Sequence, residues 1–159
     1  MKKISIVFLQ AVIVLIGLIT LALLIYFPLT EGRATNLDLF SIYADPLILY
    51  VYICSVAYFV ALYQAFRLLG YIGQNKVFSS NSVKTLKKIK QCAFILSFAI
   101  VGAGLFIILF HSKEDDPAGF IGLCIISTLV AIVVATAAAT FEKVLQSAVG
   151  LKSENDLTI

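Results

Sequence analysis

The run ISIVFLQAVIVLIGLITLALLIYFPLT, Ile4–Thr30, holds 27 consecutive residues without one charged side chain. As a helix rising 1.5 Å per residue it reaches about 40 Å, more than the roughly 30 Å of bilayer hydrocarbon. Three further runs follow: Pro46–Phe66, Gln91–Ser112 with only the lone His111 inside it, and Pro117–Phe141. Each is long enough to cross. Hydrocarbon offers no water, so a spanning segment must pair its own N–H and C=O groups, as a helix does. The two-residue alternation of a membrane barrel strand is absent. The runs therefore predict an all-α membrane protein: an antiparallel four-helix transmembrane bundle. A single domain covers 1–159, with spans at about 4–28, 46–69, 87–111 and 117–141.

Composition agrees. The chain is 61% hydrophobic and 13% charged, against about 45–50% and about 25% in soluble domains. That excludes a soluble globular fold and a disordered one. A net charge of only +3, with most of the surface facing lipid, argues against direct nucleic-acid binding.

The basic residues set the orientation. Lys2, Lys3, Arg67, Lys76, Lys84, Lys87, Lys88, Lys90, Lys143 and Lys152 fall at the two termini and between spans two and three, leaving only Arg33 and Lys113 for the other loops. By the positive-inside rule both termini and the segment between spans two and three are cytoplasmic, and the protein is a multi-pass membrane protein. The first span is too long for a signal-peptide core and has no A-x-A-like site after Tyr26, so it reads as an uncleaved anchor. Neither end carries a lipidation signal.

Pro28 and Pro46 mark the edges of the first outer loop. Asp45 is the expected N-cap of span two, with Pro46 in its first turn. The segment Leu37–Tyr43 is apolar enough to lie on the outer leaflet. Gly70 and Gly73 are the expected stop of span two. Tyr43, Tyr50, Tyr63 and Tyr71 suit an interfacial aromatic belt, whereas Tyr52 and Tyr58 lie deeper and need hydroxyl partners inside the bundle. In span four, Ser127, Ala131, Ala135 and Ala139 recur every four residues. Small side chains let membrane helices approach closely, and Gly102 and Gly104 offer a facing surface. Internal packing is the reading preferred for this stripe, with a homo-oligomer as the alternative.

The segment 74–90 is the most informative. Ser80, Asn81 and Ser82 offer N-cap oxygens. Val83, Leu86 and Ile89 then recur every three residues, with Lys84, Lys87 and Lys88 between them. This is a basic amphipathic cytoplasmic loop that runs into span three. Lys84, Lys87, Lys88 and Lys90 are its candidate docking residues, toward anionic headgroups of the bilayer or toward a soluble acidic partner. The cytoplasmic tail, 142–159, adds Glu154, Asn155 and Asp156, which are placed to mask that loop weakly.

The Phe78-Ser79 pair, Asn81, the run Val83-Lys84-Thr85-Leu86-Lys87-Lys88-Ile89 and the ending Glu154–Ile159 together resemble the YoaS-like family. Its members are small bacterial four-span membrane proteins catalogued as a domain of unknown function. The likeness spans the whole chain, with Lys87-Lys88 where Arg is more usual. The resemblance implies a multi-pass protein of the bacterial cytoplasmic membrane, and no established activity. It implies a membrane partner for a small helix-turn-helix regulator, because members are commonly encoded beside one.

Site chemistry points away from catalysis. No Asp, Glu, Lys or Arg lies inside a core span, which disfavours a proton-coupled transporter. Cys54, Cys92 and Cys124 form no C-x-x-C pair and read as small apolar residues, although Cys54 and Cys124 lie at matching depth for a disulfide. His111 beside Glu114, Asp115 and Asp116 matches no standard metal set. No catalytic motif, cofactor site or metal site is present. The expectation is a non-enzymatic membrane protein with a sensory or regulatory role. A small oligomeric permeation or lipid-binding module is the alternative, and a membrane redox enzyme comes last.

Overall fold

The computed structural model describes residues 2–30, 39–110 and 118–156. Five helices follow in order: α1 Lys2–Thr30, α2 Leu39–Tyr43, α3 Pro46–Gly73, α4 Ser80–Phe110 and α5 Ala118–Asp156. Among the described residues there is no strand, and α1, α3, α4 and α5 are long and apolar enough to cross a membrane. The expectations for His111 and Glu114–Asp116, and for the last three residues, lie outside the described residues, as do those for the side chains of Asn155 and Asp156.

The helices pack in chain order, α1 on α3, α3 on α4 and α4 on α5, as an open row rather than a closed ring. In its most apolar stretch α4 is 28% buried, against 6% for α3 and α5 and none for α1, so α4 is the centre of the row. Large apolar side chains on the outer faces, such as Leu18, Phe98 and Val133, stay exposed. In hydrocarbon that exposure carries no penalty, and association rests on close packing and hydrogen bonds between helices.

Tyrosines of α3 supply many of those bonds. Pro28 lies inside α1, which continues to Thr30, so it does not end the helix as the sequence suggested. Proline has no N–H, and the carbonyl four residues back, Leu24 O, loses its helical partner. Tyr52 Oη donates to that carbonyl at 2.8 Å. Neighbouring groups often satisfy a proline-freed carbonyl in membrane helices. Tyr43 Oη donates to Ile25 O at 3.0 Å, and its ring stacks on Tyr52 with centroids 6.4 Å apart. Tyr58 Oη shares a hydrogen bond with Thr20 Oγ1 at 3.1 Å. On the other face of α3, Tyr50 Oη donates to Ala99 O of α4 at 2.9 Å, so Tyr50 is an interhelix contact and not only a belt residue. Gly102 leaves room for that hydroxyl: a Cβ at that position would stand 3.0 Å from Tyr50 Oη, a tight contact.

The helix ends follow local chemistry. Asp45 Oδ1 accepts from Leu47 N at 2.8 Å and caps α3, with Pro46 at its first position. At the other end α3 runs past Gly70 through Gly73. Asn75 takes the left-handed turn, with φ 56°. Lys76 N donates to Tyr71 O at 2.9 Å and Asn75 N to Ile72 O at 3.1 Å, the paired bonds of a Schellman cap. The expected glycine stop is therefore an asparagine one. Asn tolerates the left-handed region because its short side chain bonds locally.

Between α4 and α5, Ala131 is half-buried and Ala135, Ala138, Glu142 and Leu145 are buried. Their spacing alternates four and three, the 3.5-residue period of a left-handed supercoiled pair. A strict four-residue stripe drifts about 40° per step on a helix. Accordingly Ala131 and Ala135 lie on the buried side, Ala139 is half-buried and Ser127 is exposed. A Cβ on Gly104 would sit 3.6 Å from Cys124 Cβ, so α4 and α5 do approach closely at that level. Cys54, Cys92 and Cys124 are free thiols.

Candidate functional site: the basic end of the helix row

Antiparallel packing brings the start of α1, the Gln74–Ser79 turn, the start of α4 and the end of α5 to one end of the row. That end holds Lys76, Lys84, Lys87, Lys88, Lys143 and Lys152, all exposed.

The turn is built by its own hydroxyls. Ser79 is the residue before α4, and its Oγ accepts from Ser82 N at 3.3 Å while its carbonyl accepts from Ser82 N at 3.0 Å and Val83 N at 3.3 Å. Ser79 is thus the N-cap, one residue earlier than the expected Ser80, Asn81 or Ser82. Ser82 has 0% exposure and its Oγ donates to Lys76 O at 3.1 Å, which ties the turn to the helix start. Thr85 Oγ1 donates back to Asn81 O at 2.9 Å.

Beneath the lysines lies an apolar cluster. Leu86 and Ile89 of α4 pack with Ala138 and Leu145 of α5, and Ala65, Leu68, Val77 and Val83 close round them. Counting from Phe110, Leu86 lies about 36 Å along α4, at the bilayer edge. The packing of α4 on α5 therefore persists to that level. Lys84, Lys87 and Lys88 project away from the cluster, exposed.

Lys90 is placed differently. Its Nζ bonds Glu142 Oε2 at 2.6 Å, with the two side chains 28% and 9% exposed. Lys90 is therefore half-buried and ion-paired, not part of the exposed basic face. Sequence reading missed Glu142 as a structural partner because it treated the residue as part of a solvated tail. Depth counting contains the signal: Lys90 lies 20 residues in from Phe110 and Glu142 24 residues in from Ala118, so both reach the same bilayer edge.

The tail is not a separate element through Asp156: α5 continues without a break, and Glu154 lies exposed on it. Among the described residues no group of three metal-ligating side chains comes together.

A family model described as a protein of unknown function (DUF2975) matches residues 28–159. The chain is 38% identical over 161 residues, the full length of both proteins, to an uncharacterized membrane protein, YoaS, of Bacillus subtilis (strain 168). No solved structure matches. The likeness read from the basic turn and the tail thus extends along both whole chains. The family model covers everything from α3 to the end of α5, and the chain belongs to the DUF2975 family.

Proposed function

We propose that this multi-pass membrane protein is a non-enzymatic regulatory subunit that works through its basic end, held in the cytoplasm of a bacterial cell. The observation that carries the reading is that three exposed lysines, Lys84, Lys87 and Lys88, stand on an apolar cluster where α4 and α5 pack together against α3. An anchor alone would not need interhelix packing at the level of the lysines. The surface suits a soluble partner with an acidic face, and a small helix-turn-helix regulator is the proposed one. The bilayer's anionic headgroups compete for the same lysines, each worth about 1 kcal/mol near a charged leaflet.

The test replaces Lys84, Lys87 and Lys88 together by Gln. Insertion is expected to persist on the remaining basic residues, while capture of the soluble partner from native membranes is lost. Truncation after Lys152 is expected to change capture without abolishing it. A triple variant that inserts and recovers the parent's partners would remove the support for this reading.

A further inference from the structure

Arg67 stands apart from the lysines. It lies on α3, 21 residues after Pro46, or about 32 Å along the helix, at the hydrocarbon edge. Its guanidinium carbon is 5.9 Å from the Tyr63 ring centroid and 5.7 Å from that of Tyr71, one turn to either side. Its Nη2 donates to Tyr71 Oη at 2.6 Å. Two rings and a hydroxyl thus hold an exposed cation in place. Arginine offers five N–H donors in a fixed fork that matches phosphate oxygens, and Tyr71 takes one of them.

The Tyr63 ring has a second role. It walls a groove of about 310 Å³ between α1 and α3, lined also by Ile13, Gly17, Phe59 and Leu62. The groove runs from the Arg67 level toward the middle of the membrane. Its volume is at the lower end of ligand pockets, and its walls are apolar. Gly17 lies on its floor, where a Cβ would make ordinary contact with Leu62 Cδ1 at 3.6 Å and a larger side chain would fill the groove.

We propose that Arg67 and this groove bind one anionic phospholipid, the headgroup phosphate on the guanidinium and an acyl chain along Tyr63 and Leu62. Charge and position choose the occupant: a held cation at the hydrocarbon edge shares the Tyr63 ring with an apolar groove that opens to the bilayer. The site is distinct from Lys84, Lys87 and Lys88 and needs no soluble partner, so it stands or falls separately from the regulatory reading.

Native mass spectrometry of the detergent-purified chain tests it, with dioleoyl phosphatidylglycerol, dioleoyl phosphatidylcholine and glycerol 3-phosphate as probes. Both lipids offer the same phosphate oxygens, but the choline ammonium of the zwitterionic one cancels its net attraction to Arg67, so the anionic lipid is expected to bind about tenfold more tightly. Arg67→Gln should erase that preference and Arg67→Lys restore only part of it. Tyr71→Phe should weaken it several-fold while leaving the charge, and Gly17→Leu should weaken both lipids alike by filling the groove. The Lys84, Lys87 and Lys88 triple variant should keep the preference. If Arg67→Gln fails to insert, the Tyr71 and Gly17 variants decide the matter. Equal binding of the two lipids, loss of the preference only in the lysine triple variant, or displacement of lipid by chain-free glycerol 3-phosphate would each overturn the proposal.

Discussion

Pro28 removes the N–H that Leu24 O would accept, and Tyr52 supplies a hydroxyl in its place. In hydrocarbon an unpaired carbonyl is costly, so Tyr52→Phe is expected to lower stability in detergent by about 1–3 kcal/mol. Pro28→Ala restores the N–H, and in that background Tyr52→Phe should cost clearly less; equal costs would show that the hydroxyl serves something else. The Lys90–Glu142 pair is asymmetric. Lys90→Met leaves Glu142 buried and alone, whereas Glu142→Leu leaves a lysine that can reach water. The first change should cost about 2–3 kcal/mol, under the roughly 3–5 of a fully buried pair because Lys90 is partly exposed. The second should cost less, and the double variant should recover much of the loss in thermal unfolding. The need of Tyr52 and Tyr58 for partners was legible from depth alone. Their partners were not, because nothing local in α3 says that α1 lies on that face.

The start of α3 followed from short-range chemistry at Asp45-Pro46, and that of α4 nearly so, its cap falling on Ser79 just ahead of the expected residues. The end of α3 did not. Gly73 fits the usual stop, yet Asn75 takes the left-handed turn, since the chain must also deliver Val77 to the apolar cluster. Asn75→Gly is expected to be tolerated, whereas Asn75→Val should cost about 1–2 kcal/mol, the penalty of a left-handed conformation. The face of α5 was half legible: small residues marked a close contact, but a four-residue period places it progressively off the 3.5-residue seam. Ala135 has 0% exposure and Ala137 is exposed. Ala135→Leu should therefore destabilise the α4–α5 pair by about 1–3 kcal/mol through overpacking, while Ala137→Leu should be mild. Similar melting shifts for both would contradict a specific seam.

For the whole molecule, span number was readable because hydrophobic length is a one-dimensional property. The open order of packing was not, since it depends on which faces meet. The row explains a difference between the helices: α1 rests on α3 through few contacts and tyrosine hydrogen bonds, whereas α3, α4 and α5 share the apolar cluster and α4 and α5 are joined by the ion pair as well. The family model's match begins at Pro28, so it covers that better-packed part and leaves out nearly all of α1. What this end of the row can do depends on which side of the membrane it faces. Single cysteines at Ser80, Ser153 and Ala44, all exposed positions, placed in a chain whose three native cysteines are replaced by Ala, report that directly through a membrane-impermeant thiol reagent. Labelling of Ala44→Cys is expected in intact cells, and of Ser80→Cys and Ser153→Cys only after permeabilisation. Labelling of Ser80→Cys or Ser153→Cys in intact cells would contradict the cytoplasmic placement of that end.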